Sequence, residues 1–135
     1  MSTLRHLNHT ILNATTTVGA SATNQPITKV FAISQMDSER ITIDIIYADA
    51  VVATGITAKL QSSFDDTSGI WVDHGTVAIT GAVATTTRKT IDLNIHRAAD
   101  QASLPLRAKA RVVVTSGAGD SVTIGSVYVS RRTAS

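Results

Sequence analysis

"ERITIDIIYAD", residues 39–49, decides the fold. Ile41, Ile43, Ile45 and Tyr47 alternate with Thr42 and Asp44, the period of two that gives a pleated strand one apolar and one polar face. The pattern recurs. "GITAKLQSS" (55–63) sets Ile56, Ala58 and Leu60 against Thr57, Lys59 and Gln61, and "RKTIDLNIH" (88–96) sets Ile91, Leu93 and Ile95 against Thr90, Asp92 and Asn94. "LPLRAKARVVVTS" (104–116) alternates Leu104, Leu106, Ala108, Ala110, Val112 and Val114 with Arg107, Lys109 and Arg111. "ITKVFAISQ" (27–35) places Ile27, Phe31 and Ile33 on one side, and "GIWVDHGTVAIT" (69–80) reads as a strand bent or broken at Gly75. In "DSVTIGSVYVSRR" (120–132) the apolar phase runs through Val122 and Ile124, then Val127 and Val129. That slip by one across Gly125-Ser126 is what an inserted bulge residue produces.

Turn-forming clusters separate the runs: "MDSE", "DDTSG", "TGAVATTT", "AADQAS" and "SGAGD". "HRAADQAS" (96–103) has room for one helical turn and little more. Seven or eight strands with one apolar face each predict an all-β, antiparallel β-sandwich, two sheets packed face to face. Aromatic residues are only 4% of the chain against 43% hydrophobic, so the core is built from Ile, Val and Ala and is thin. β-branched side chains favour the pleated surface over a helix.

At 135 residues the chain is one domain by size. Residues 1–26 read apart from the rest: "NATTTVGASATNQP" (13–26) is small and polar, without periodicity, and Pro26 closes it. The division expected is an extended N-terminal arm, 1–26, and a sandwich domain, 27–135. The segment is either frayed or ordered on a neighbouring subunit, and Leu4, Leu7, Ile11 and Leu12 favour the second, since a solvated tail has little use for them. No apolar run matches a signal peptide or a membrane span. The absence of cysteine removes disulfides and thiolate metal sites, so stability beyond one modest core would come from oligomerisation.

The densest polar stretch is "LQSSFDDTSGIWVDHG" (60–75). Asp65, Asp66 and Asp73 lack the alternate spacing and closing glutamate of an EF-hand calcium loop. Ser63, Asp65 and Trp71 miss the spacing of the sialidase aspartate box by one residue. What remains is a hairpin: "KLQSS" leads in, "FDDTSG" turns, and "IWVDH" leads out. Asp73 and His74 are adjacent and so face opposite ways on a strand, which does not make a dyad. His6 and His9 are the sole close histidine pair, and no Gly-rich loop carries a phosphate-binding lysine. The expectation is a non-enzymatic protein with no metal and no cofactor.

Net charge is +2, with eight basic residues against three acids between Arg88 and Arg132. Arg107, Lys109 and Arg111 lie opposite the apolar face of their strand, and Arg131 and Arg132 form a basic tip. Arginine suits the gripping of carboxylates on a partner. Nucleic acid would want aromatics interleaved with these charges, and none are there. A sugar-binding sandwich would need a cleft lined by Trp71 with Tyr47 or Tyr128.

"GITAKLQSSFDDTSGIWVDHGTVAIT" together with "LPLRAKARVVVTSGAGDSVTIGSVYVSRR" resembles small virion proteins of tailed bacteriophages, among them capsid cement or decoration proteins. The resemblance covers residues 52–132. It implies a jelly-roll-like module without catalysis, made in the host cytoplasm and placed on the capsid surface of the virion. It also implies a homo-oligomer, dimer or trimer, that binds the major capsid protein or a neighbouring virion protein, without nucleic acid or membrane. Exposed strand edges serve assembly of that kind. The interface candidates are Leu4, Leu7, Ile11 and Leu12 in the arm, and Arg107, Arg111, Arg131 and Arg132. A tail, baseplate or head-fibre component, or a carbohydrate-binding β-sandwich module, are the alternatives.

Overall fold

In the computed structural model the alternation of residues 39–49 is buried as the sequence predicts. Ile41, Ile43 and Ile45 are fully buried and Tyr47 nearly so, while Thr42, Asp44 and Ile46 stay half-buried on the other face. The structure describes residues 4–10, 15–32, 38–63, 69–82, 85–94 and 109–134; for 4–10, 38–40, 92–94 and 131–134 it describes the backbone alone. No helix occurs among the described residues, and "HRAADQAS" lies outside them.

Ten strands follow in chain order among the described residues: β1 (Leu4–Thr10), β2 (Thr16–Val18), β3 (Gln25–Pro26), β4 (Phe31–Ala32), β5 (Ser38–Val51), β6 (Ile56–Ser63), β7 (Val72–Ile79), β8 (Thr87–Asn94), β9 (Lys109–Ser116) and β10 (Ser121–Ala134). They form two antiparallel sheets. The first runs β1-β10-β5-β8 with β2 also on β10; the second runs β3-β9-β6-β7 with β4 also on β9. The expected antiparallel β-sandwich is what forms.

Two pairs of short strands share a lane: β1 and β2 lie along one edge of β10, β3 and β4 along one edge of β9. Counted by lane there are eight among the described residues, and their pairing is nested. The first lane pairs the last (β1/β2 with β10), the second the seventh (β3/β4 with β9), the third the sixth (β5 with β8), and the fourth the fifth (β6 with β7). The described strands pair as one long hairpin wrapped on itself.

The core lies between the sheets. Val129, Ile43 and Ile91 share one row of the first sheet, and Leu60 faces Val112 in the second. At about 25 cal/mol per Å² of apolar surface, burying each such side chain contributes about 1.5–3 kcal/mol. Among the described residues Tyr47 is the one fully buried aromatic of this core, with Phe31 partly buried against it; the Tyr47 hydroxyl donates to the Thr80 carbonyl at 3.1 Å and accepts the Thr80 N–H at 3.2 Å, which satisfies the buried polar atom.

The Gly125 slip is a bulge. Ile124 pairs Tyr47 and Ser126 pairs Ile46, so Gly125 is the extra residue. Without it Val127 and Val129 would face outward, since a slip of one residue exchanges the two faces of a strand. A second bulge bends β7: Asp73 pairs Gln61 and Thr76 pairs Lys59, leaving His74 and Gly75 opposite Leu60.

Two expectations need correction. Residues 27–35 do not make one strand. Pro26 has no N–H, which confines it to an edge position, and after it the ladder is carried differently: the Ile27 N–H donates to Val112 O at 2.9 Å, while the Val112 N–H donates to Thr28 Oγ1 at 3.1 Å. Pairing resumes at Phe31 and Ala32; Ile33 lies outside the described residues. The segment before Pro26 also holds strands despite its lack of periodicity. β1 and β2 pair with β10 of the same chain, and Val18 is fully buried in the core. Backbone pairing to an open edge asks for no side-chain alternation, which is why composition did not reveal it.

Candidate interaction surface

The outer face of the second sheet carries a connected row of polar side chains. Ala110 and Val112 point into the core, so Lys109 and Arg111 between and beside them point out. Register places Arg111 beside Gln61, and Gln61 beside Asp73. Arg111 Nε donates to Gln61 Oε1 at 2.9 Å, Gln61 Nε2 donates to Asp73 Oδ1 at 2.8 Å, and Lys59 Nζ donates to Asp73 Oδ2 at 3.0 Å. The Arg111 guanidinium lies 4.1 Å from the centroid of the Trp71 ring, within cation–π range. Gln61 is 4% exposed. Its amide is therefore fixed in sense, oxygen to Arg111 and nitrogen to Asp73.

Electrostatics follow from this arrangement. Burial works to raise the Asp73 carboxyl, but the hydrogen bonds from Gln61 and Lys59, with the charges of Lys59 and His74, outweigh it and hold the group below the usual carboxylate range. Burial lowers the Arg111 guanidinium from its ordinary value, and it remains charged at neutral pH. Ile70, 69% exposed, flanks Trp71. β6 and β7 pair antiparallel, as the hairpin reading requires, and Gly69 takes φ +74°; residues 64–68 of the turn lie outside the described residues.

Behind this row, Ser62 Oγ and His74 Nε2 are 2.6 Å apart. Asp73 and His74 do face opposite ways, as adjacent strand residues must. A serine and histidine at this distance suit nucleophile activation, but Ser62 is fully buried, and the bond joins β6 to β7. Among the described residues no three His, Cys, Asp or Glu side chains come together as a metal site would need.

At one end of the sandwich, Asp120 joins two loops. Its Oδ1 accepts the N–H groups of Ala53 (2.6 Å) and Thr54 (2.8 Å), and its Oδ2 those of Gly55 (3.0 Å) and Gly117 (2.7 Å). The Thr54 N–H is the largest influence on its acidity; burial opposes it, and the Gly55, Gly117 and Ala53 N–H groups add to it, leaving the carboxyl lowered to about 2. Thr54 Oγ1 donates to Ala118 O at 2.8 Å. The Asp in "SGAGD" read only as a turn residue; the loop it grips is over sixty residues away, and no local pattern points there.

The interface candidates divide. Leu4 and Leu7 fall on β1, where Leu7 pairs Arg131 and His6 pairs Arg132, so arm and basic tip share one sheet edge. Their side chains, with Ile11, Leu12 and Arg107, lie outside the described residues. Arg111 belongs to the other sheet. The aromatic cleft of a sugar-binding sandwich is not assembled: Tyr47 is buried, Tyr128 is exposed on the first sheet, and Trp71 sits on the second beneath Arg111.

No family model matches the chain, and no curated protein matches it. Among solved structures it is similar to a chain of infectious bursal disease virus, Gx strain, at 17% identity and TM-score 0.47, over 95% of this chain and 32% of that one. It is also similar to a chain from Bacillus endospore appendages, disulfide-linked pili, at 11% identity and TM-score 0.33, over 98% and 87%. Eiger TNF from S. frugiperda is similar at 11% identity and TM-score 0.37, over 97% and 92%. The chain spans about a third of the length of the viral chain it matches.

Proposed function

We propose that this chain is a non-enzymatic structural protein of a virion and, more narrowly, a cement or decoration protein on the outer surface of a phage capsid. The observation that carries the reading is the nested pairing of the eight lanes, first with last through fourth with fifth. Such nesting supports a jelly-roll reading, and the jelly roll is an architecture that capsid proteins use along with lectins and cupins. Fold alone does not fix function. The resemblance of residues 52–132 to phage virion proteins chooses among those uses. Arg111 covering Trp71 disfavours the sugar-binding alternative, because one face of the ring is already taken by the guanidinium.

On this reading the protein works as a dimer or trimer, and many weak contacts repeated over a shell give avidity. The test is solution mass, followed by co-sedimentation with emptied phage capsids. A dimer or trimer that pellets with capsids is expected. Removing residues 1–14, which spares the core residue Val18, should weaken pelleting, as should neutralising Arg107, Arg111, Arg131 and Arg132. A monomer that stays in the supernatant would overturn the proposal.

A further inference from the structure

We infer that the Arg111–Trp71 face of the second sheet is a prearranged anchor for an acidic protein segment, one presenting a carboxylate side chain beside an apolar one. The nearest carboxylate of the described residues, Asp73, is occupied by Lys59 and by the Gln61 amide. Arg111 therefore receives a neutral amide oxygen where an acid would have cancelled its charge. Only Nε is used. The two terminal nitrogens, four N–H donors in a planar fork, meet no acceptor among the described residues, nor does the Lys109 ammonium two residues along the same face. Among the described residues, Lys59, Lys109 and Arg111 against Asp73 leave this face positive.

The fork is also held still. Trp71 supports the plane of the guanidinium at 4.1 Å, and Gln61, itself buried and tied to Asp73, fixes its inner edge. A fork whose orientation is set before binding loses less freedom when a carboxylate arrives, and pairs with it through two parallel hydrogen bonds. Ile70 and the rest of the Trp71 ring supply apolar surface beside it. Tryptophan and arginine, here both half-buried, are the residue types that dominate interface energetics.

The test uses the whole protein and two peptides, acetyl-Leu-Asp-Glu-Leu-amide and its uncharged counterpart acetyl-Leu-Asn-Gln-Leu-amide. Trp71 is the one tryptophan of the chain, so its emission reports this site directly. A saturable change with the acidic peptide, in roughly the millimolar range, is expected, with none for the uncharged one. Arg111→Lys keeps the charge and removes the fork, and should weaken the peptide about tenfold. Arg88→Lys, on the other sheet, should leave binding unchanged. No saturable change, equal response to both peptides, or equal affinity in the Arg111→Lys protein would each overturn the inference. The result is separable from the virion reading: the peptide titration tests Arg111 whatever carries the acidic segment, and capsid co-sedimentation tests the shell.

Discussion

Replacing Arg111 by methionine tests whether the outer row of the second sheet is a coupled unit. The substitution keeps an unbranched apolar stem and removes the guanidinium, with two consequences. The contact with the Trp71 ring is lost, worth about 0.5–1 kcal/mol at a half-exposed site. Gln61 Oε1 loses its 2.9 Å donor while remaining buried, and an unsatisfied buried acceptor costs about 1–3 kcal/mol. Rotation of the amide is no remedy, because Nε2 is held to Asp73. Together they come to about 1.5–4 kcal/mol. With a urea slope of about 1.5–2 kcal/mol/M for a chain of this size, the unfolding midpoint should fall by about 1 M or more. Urea titration followed by Trp71 emission and by far-UV circular dichroism measures it. Adding Gln61→Leu to Arg111→Met should return most of the loss, since replacing both partners of a buried hydrogen bond by apolar groups is nearly neutral. A midpoint within about 0.2 M of the parent, or a double variant showing the plain sum of the two single losses, would refute the coupling.

Three other perturbations probe the frame. Asp120 has a folded-state carboxyl lowered to about 2, below an unfolded value of about 3.9. Its contribution is therefore fully present above about pH 4 and lost as pH falls toward 2. Asp120→Asn should lower the neutral-pH urea midpoint and flatten the pH dependence in that window; an unchanged acid limb would contradict it. Gly117→Ala would set a Cβ 2.6 Å from Thr54 Cβ and, as an overpacked site, should cost about 1–3 kcal/mol, read as a lower midpoint that Thr54→Gly partly restores. Ile43→Ala opens a cavity between fully buried neighbours and should cost about 2–5 kcal/mol in the same titration.

Where strict alternation put one face of a strand in the core, as in residues 39–49, the fold was legible. Ile41, Ile43 and Ile45 could face the core only as a strand, and the slip at Gly125 could keep Val127 and Val129 inside only as a bulge. The hairpin of β6 and β7 was legible for the same reason, with Gly69 at the positive φ its turn needed. The alternation of Arg107, Lys109 and Arg111 with small apolar residues likewise foretold that Arg111 faces outward. In each case a local period carries the information, and the structure only had to add the partner strand.

What the sequence withheld depends on contacts distant along the chain. Thr28 stands in for a backbone acceptor at Val112, eighty-four residues away, and a threonine in that role looks like any other threonine. Asp120 collects three of its four N–H donors, those of Ala53, Thr54 and Gly55, from a loop that has no feature except its position opposite. Gln61 is the plainest case. On the outer face of a strand a glutamine reads as a solvated residue, yet here it is buried, and its two ends orient an arginine and an aspartate. Neither the charge pattern nor the hydrophobic period distinguishes a glutamine that meets water from one that links two strands. The difference lies in β7 and β9 flanking β6, which the nested wrapping of the whole chain imposes. The candidate surface thus follows from topology: the β6–β7 hairpin sets Asp73 beside Gln61, β9 brings Arg111 from 50 residues away to the other side of Gln61, and Trp71 packs against it.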